Sequence, residues 1–225
     1  LVGKALESRD NVETKKSAEI GPGEFYPVVG VGPHPKPWPQ DPHFDPELLE
    51  NGDRRNVIDK YRYWSVAAIV ADLDTKRTPL RIAIENWQHD LNIGSIVRTA
   101  NAFNVSSVHI VGKRDWNRRG AMVTDKYLTV IHHPDCADLK KWAIANNVVI
   151  VGIDNIPGAK SLESAKLPKN SLLFFGQEGS GISPEGESAC DVIYEIAQYG
   201  STRSMNASAA GAIAMYHWRL QHQEL

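Results

Sequence analysis

The chain has 225 residues, 42% hydrophobic and 23% charged, which is enough apolar material for one well-packed domain with an appended segment. Its formal net charge is −2, so the global field does not attract nucleic acid, and any such attraction must come from local patches. Two cysteines, Cys136 and Cys190, lack metal-ligand spacing and are too few for a disulfide scaffold, which fits a reducing cytoplasm. No apolar run approaches the roughly 18 residues of a membrane span. The segment Leu1 to Asp10 is polar and charged and lacks the pattern of a secretion signal. A start at Leu rather than Met leaves room for a missing native N-terminus.

Eight of the 13 prolines fall between Pro22 and Pro46. A run such as Gly32-Pro33-His34-Pro35-Lys36-Pro37-Trp38-Pro39 cannot donate a regular series of backbone hydrogen bonds, so residues 1–46 read as an irregular arm. The arm is either pinned to a surface by Phe25, Tyr26 and Trp38 or a disordered linker. Asp53 to Asp72 then carries apolar residues at mostly helical spacing. From Leu80 onward short apolar runs alternate with helical patterns. Strands are expected at Leu80–Ile84, Val108–Val111, Val148–Ile153, Leu172–Phe175 and Val192–Ile196. Helices are expected at Ser95–Phe103, Cys136–Asn146 and Asn206–Gln221. That alternation predicts an α/β fold, a parallel sheet with helices on both faces, over residues 79–225, preceded by an N-terminal extension over 1–78.

Three polar segments interrupt this texture. The first, Glu85 to Ala100, follows a strand and opens a helix, the place where α/β sheets bind ligands. It contains Asn92, a candidate helix cap, and Arg98, which could hold a phosphate with two hydrogen bonds. A capped helix with one solvated arginine would account for the same residues. The second, Gly176-Gln177-Glu178-Gly179-Ser180-Gly181, follows a buried-strand run, and its glycines let backbone approach a ligand closely. It has neither the dinucleotide-binding glycine order nor the Lys-Ser/Thr ending of a P-loop; the simplest alternative is a tight turn with a solvated glutamate. The third, Gly200 to Ser208, places Ser204 and Asn206 just ahead of an alanine-rich helix.

Taken together, the segments resemble the SpoU/TrmH family of knotted RNA methyltransferases. That family shows Asn-x-Gly-x-x-x-Arg-x-Ala, then Gly-x-Glu-x-x-Gly, then Gly-x-x-x-Ser-x-Asn-x-Ser, matched here in order by Asn92 to Ala100, Gly176 to Gly181 and Gly200 to Ser208. The resemblance covers residues 80–221. It implies a sheet ending in a deep trefoil knot, a homodimer, and S-adenosyl-L-methionine (AdoMet) held in the knot by Gly176, Ile196 and Met205, with Ile153 as a further candidate. The implied activity is methyl transfer to a ribose 2′-hydroxyl of tRNA or rRNA. The implied site is Arg98 with Asn92, Glu178, Ser204 and Asn206. The family often has Asp-Pro where this chain has His89-Asp90, and Ile-Pro-Met where it has Ile196-Ala197-Gln198.

A guanidinium is effectively always protonated, so Arg98 is expected to position a phosphate and to stabilise charge developing on the 2′-oxygen rather than to act as a base. Glu178, Ser204 and Asn206 would order the loops, and Asn92 would bind substrate or brace the first loop. For RNA, Lys113, Arg114, Arg118 and Arg119 flank Trp116, a pattern suited to phosphate contacts with base stacking; Arg54, Arg55, Lys60 and Arg62 form a second candidate. Each could equally be a solvated face. His132 and His133, adjacent on a strand, point to opposite faces and do not suggest a metal site. Trp142 and Tyr216 to Trp218 read as core or dimer contacts. Two alternatives use the same fold: a base-nitrogen RNA methyltransferase, and a catalytically silent RNA-binding protein.

Overall fold

The structure, a computed structural model, describes residues 30–88 and 92–222. Seven strands form one sheet: β1 (Thr78–Asn86), β2 (Val105–Gly112), β3 (Val130–His133), β4 (Val149–Ile153), β5 (Lys160–Ser161), β6 (Ser171–Phe175) and β7 (Val192–Glu195). Their order is β3-β2-β1-β6-β4-β7-β5, and every pairing is parallel. The helices are α1 (Pro46–Asn51), α2 (Val66–Asp74), α3 (Asn92–Ala102), α4 (Cys136–Ala145), α5 (Pro184–Ala189) and α6 (Ala207–Gln221).

Alternation along the strands sends successive side chains to opposite faces. Ile82, Ile84, Val108, Ile110, Val151, Leu173 and Phe175 pack with Ile93, Ile96 and Val97 of α3 and with Ala214, Met215 and Trp218 of α6. Ala83, Val111, Ile150, Leu172 and Phe174 pack on the other face with Cys136, Leu139 and Ala143 of α4 and Ala189 of α5. The α/β expectation therefore holds, with helices on both faces. Small residues let α6 lie close to α3: a Cβ on Gly211 would already touch Ile96 at 3.4 Å.

Ahead of β1 the chain departs from expectation. The helical spacing over Asp53 to Asp72 gives a helix only at Val66–Asp74, after a single 3₁₀ turn at Asp59–Tyr61. Two local ties account for this. The Ser65 hydroxyl caps α2 by accepting from Ala68 N, which starts the helix there. The Asp53 carboxylate, fully buried, accepts hydrogen bonds from Arg55 Nε, Arg55 Nη2, Arg55 N and Tyr63 N. Those bonds favour a compact loop over a continuous helix. Tyr61 and Ile69 then pack against Tyr127 of the main body. Within the arm, Val31 and His34 donate backbone bonds to Asp53 O and Leu49 O. Trp38 Nε1 donates to His34 O. Phe25 and Tyr26 lie outside the described residues.

Candidate active site

The carboxyl ends of β6, β4 and β7 open on a cleft of about 580 Å³, within the ~300–1,000 Å³ range of small-molecule sites. Its walls are Ile153 to Ile156 at and beyond the end of β4, the glycine loop after β6, Ile196 and Gln198 after β7, and Arg203 to Ala207 leading into α6. The four residues expected to hold a cofactor, Gly176, Ile196, Met205 and Ile153, all line it, as do Glu178, Ser204 and Asn206.

The glycine loop has a definite physical reason. Gln177 and Gly181 exchange two backbone hydrogen bonds of 3.0 Å, which fold the loop back on itself. A Cβ on Gly176 would sit 2.0–2.1 Å from Gly181 C and O and Ile182 N, so no side chain fits. Gly181, at φ +69°, leaves space that the Asp154 carboxylate fills, and Asp154 Oδ2 accepts from Ile182 N at 2.7 Å. Asp154 thus fixes the loop to the end of β4. Asn155 Nδ2 donates to Arg203 O, tying the same strand end to the segment before α6. Sequence reasoning missed both residues; the available signal was an Asp-Asn pair directly after a buried strand.

The three motif segments meet through Asn92, which is 8% exposed at the start of α3. Its Nδ2 donates to Glu178 Oε2 at 2.8 Å, and its Oδ1 accepts from Asn206 Nδ2 at 2.8 Å. Asn206 is also the N-cap of α6, accepting from Ser208 N at 3.0 Å and Ala209 N at 3.3 Å. One chain of side-chain hydrogen bonds, Glu178–Asn92–Asn206, therefore joins residues 86 and 114 positions apart in sequence. Arg98 stands apart from the cleft. It is exposed on α3, six residues on from Asn92 and about a third of a turn away around the helix.

The basic loop after β2 sits at the same carboxyl edge of the sheet. Asn86 Nδ2 anchors it by donating to Lys113 O and Asp115 O. Lys113, Arg114 and Arg119 are exposed, and Arg118 pairs with Asp125 at 3.2 Å. Trp116, however, is 8% exposed and belongs to the core, so base stacking on it is ruled out; its ring instead supports Arg118 at 5.3 Å. The second basic candidate is largely neutralised. Arg55 is spent on Asp53, Lys60 on Asp72, and Arg62 on Asp59 and the carbonyls of Arg55 and Asp53, which leaves Arg54. Burial pushes the Cys136 and Cys190 thiols up to about 12, so neither offers a thiolate at neutral pH. His132 bonds to Gly112 O, while His133 bonds to His109 on the other side of its strand.

A parallel α/β sheet with a glycine-lined cleft at its carboxyl edge is the architecture of a nucleotide- or cofactor-binding enzyme. The chain belongs to the SpoU rRNA Methylase family, whose profile residues 79–216 match. It is 27% identical over 157 residues to a tRNA (guanosine(18)-2′-O)-methyltransferase of Borreliella burgdorferi, across 67% of this chain and 70% of that protein. It is 28% identical over 183 residues to an uncharacterised tRNA/rRNA methyltransferase of a Synechocystis strain, across 76% of this chain but 46% of that protein. The chain thus spans between about half and seven tenths of these relatives. Its fold is similar to that of a SpoU methyltransferase from Streptomyces viridochromogenes solved with AdoMet, at TM-score 0.57 and 23% identity over 67% of this chain and 60% of that one.

Proposed function

We propose that the protein is an AdoMet-dependent RNA methyltransferase acting on a ribose 2′-hydroxyl of tRNA or rRNA. The observation that carries this reading is the Glu178–Asn92–Asn206 chain, which assembles all three motif segments at one cleft. The residues fit the cofactor. Gly176 lets the glycine loop close tightly on Gly181 and Ile182, and the closed loop forms one wall of the cleft. Ile153, Ile196 and Met205 give apolar walls, and two buried amide oxygens in the cleft, on Gln177 and Gln198, have no partner among the described residues. When bound, AdoMet supplies an electrophilic methyl group.

The remaining task falls to the protein. It must hold the ribose 2′-oxygen in line and dispose of its proton, and orientation is the main contribution. In this reading Glu178, Asn92 and Asn206 fix the loops in one arrangement, and Ser204, at the cleft edge, faces the ribose. Arg98 takes the phosphate next to the target nucleotide and stabilises charge on the 2′-oxygen. The proton passes to a phosphate oxygen or water. Lys113 and Arg114 follow the end of β2, two strands from β6 in the order β2-β1-β6 and roughly 10 Å along the same edge, and Arg119 opens a 3₁₀ turn packed on the start of α3. They are positioned to guide RNA towards the cleft.

The family's trefoil knot and homodimer belong to the same proposal, as do a cytoplasmic location and the division of the chain at residues 78 and 79, where the family match begins. Ile213, Tyr216 and Leu220 form an exposed stripe at i, i+3 and i+7 on α6. Met122 and Val123, also exposed, adopt left-handed backbone at φ 48° and 67°, costly for a β-branched residue. A second copy covering these residues would account for both features and could bring Arg98 of one protomer to the cleft of its partner. The test is titration with S-adenosylhomocysteine alongside labelled methyl transfer to tRNA and to rRNA, for wild type and Arg98→Ala. The proposal expects Arg98→Ala to bind the ligand normally and to lose transfer. Loss of ligand affinity would make Arg98 a cofactor or structural residue.

A further inference from the structure

Two side chains of the cleft are buried at an atom that nothing satisfies. Oε1 of Gln177 and Oε1 of Gln198 have no hydrogen-bond partner among the described residues, and both residues line the cleft. A buried acceptor without a donor is rare in folded proteins because it loses its bond to water and gains nothing. A carboxamide that turns towards a donor on a ligand recovers that loss. The two residues follow β6 and β7, which flank β4, so their backbones stand about 10 Å apart, two strand spacings across the cleft.

The two sides differ in character. The Gln177 side is the polar glycine loop. The Gln198 side carries the apolar walls, Ile153 at the end of β4, Ile156 beyond it and Ile196 after β7, while the intervening Asp154 and Asn155 are engaged by Ile182 N and Arg203 O. A flat heteroaromatic base suits that side. Gln198 is also held on a fixed rim. Ala197 N donates to Glu163 Oε1 at 3.0 Å, a bond that a proline at this position could not make, and Leu162 N donates to Glu195 O at 2.8 Å. These bonds lock the turn after β5 to the end of β7.

We infer that Gln198 reads the adenine base of the cofactor through its carboxamide. The oxygen accepts from the 6-amino group and the amide nitrogen donates to an adjacent ring nitrogen, the pairing a carboxamide makes with adenine elsewhere. Gln177 accepts from a donor on the sugar or amino-acid portion. The inference rests on the methyltransferase reading of the same cleft and adds a residue that sets its choice of base.

Calorimetric titration tests it with two ligands, S-adenosylhomocysteine and its analogue carrying unsubstituted purine, which lacks the 6-amino group. Wild type binds the purine analogue about tenfold more weakly, the equivalent of one hydrogen bond to the amino group. Gln198→Met removes both bonds, weakening S-adenosylhomocysteine about a hundredfold and the purine analogue, which keeps only the ring-nitrogen bond, about tenfold, so the preference between the two ligands vanishes. Equal binding of both ligands by wild type overturns the inference without need of any variant. A wild-type preference retained by a folded Gln198→Met overturns it too. Failure of wild type to bind either ligand overturns the methyltransferase reading, and the inference with it.

Discussion

Asn206 does two jobs that one pair of substitutions separates. Its Oδ1 caps α6, and its Nδ2 donates to Asn92. Asn206→Ala removes both. The cap contributes about 1 kcal/mol and the bond to Asn92 about 1 kcal/mol. Asn92, buried at 8% exposure, is left with an acceptor lacking this donor. The sum is roughly 2–3 kcal/mol, and for a chain of this size each kcal/mol lowers Tm by about 2–4 °C. The expected drop is about 5–10 °C. Asn206→Asp keeps the acceptor oxygens that cap Ser208 N and Ala209 N and adds a favourable charge at the helix N-terminus worth about 0.3–1 kcal/mol. It removes only the donor to Asn92, setting oxygen against oxygen. Stability should stay within about 1 kcal/mol of wild type while methyl transfer falls at least about tenfold, since one lost hydrogen bond of this kind is worth about a factor of ten. Melting by circular dichroism and labelled methyl transfer, run on both variants, read the two effects apart. An Asn206→Asp enzyme with wild-type turnover would show that the residue is only a helix cap and that the Glu178–Asn92–Asn206 chain has no part in function.

Gly176→Ala forces a methyl group into the backbone of Gly181 and Ile182, so it should abolish S-adenosylhomocysteine binding in the calorimeter, whereas Gly200→Ala, with open space at its Cβ, should not. Burial holds His109 down at about 3, helped by the charges of His133 and Arg81. The native state therefore keeps it neutral while the unfolded chain takes up a proton below about 6.5. Stability is lost as pH falls through that value, at roughly 1.4 kcal/mol per pH unit. Melting curves from pH 6.5 to 5.0 should show about 2 kcal/mol of loss, flattened in His109→Gln; an unchanged slope in the variant would assign the effect elsewhere. Replacing Lys113, Arg114 and Arg119 together with Ala should weaken RNA binding and lower the salt slope by up to about 3 in log–log terms. An unchanged slope removes the loop from the RNA path.

The periodicity of residues 80–221 carried the architecture because strands buried on both faces, such as Leu172 to Phe175, leave an unbroken apolar run that few other structures need. It carried less before residue 78. There the spacing over Asp53 to Asp72 satisfied a helix, but the buried Asp53 carboxylate gathers four donors from a loop, and that long-range choice leaves no period in the sequence. The strands Val130–His133 and Lys160–Ser161 are too short and polar to announce themselves. At the site, motif order brought Gly176, Glu178, Ser204, Met205 and Asn206 to one cleft. It could not indicate that Asp154 pins the glycine loop, since the contact exists only once β4 and β6 are paired. Nor could it reveal that Trp116 turns inward, because an aromatic among basic residues reads the same whether it faces solvent or core.

The central claim, methylation at ribose oxygen, is tested most directly by the product. Wild-type protein is incubated with methyl-labelled AdoMet and with tRNA or rRNA, and the RNA is hydrolysed in alkali. Alkaline cleavage needs a free 2′-hydroxyl, so a methylated ribose protects its own linkage. The account predicts label in alkali-resistant dinucleotides from one of the two RNAs. Label confined to mononucleotides would place the methyl group on a base and contradict it.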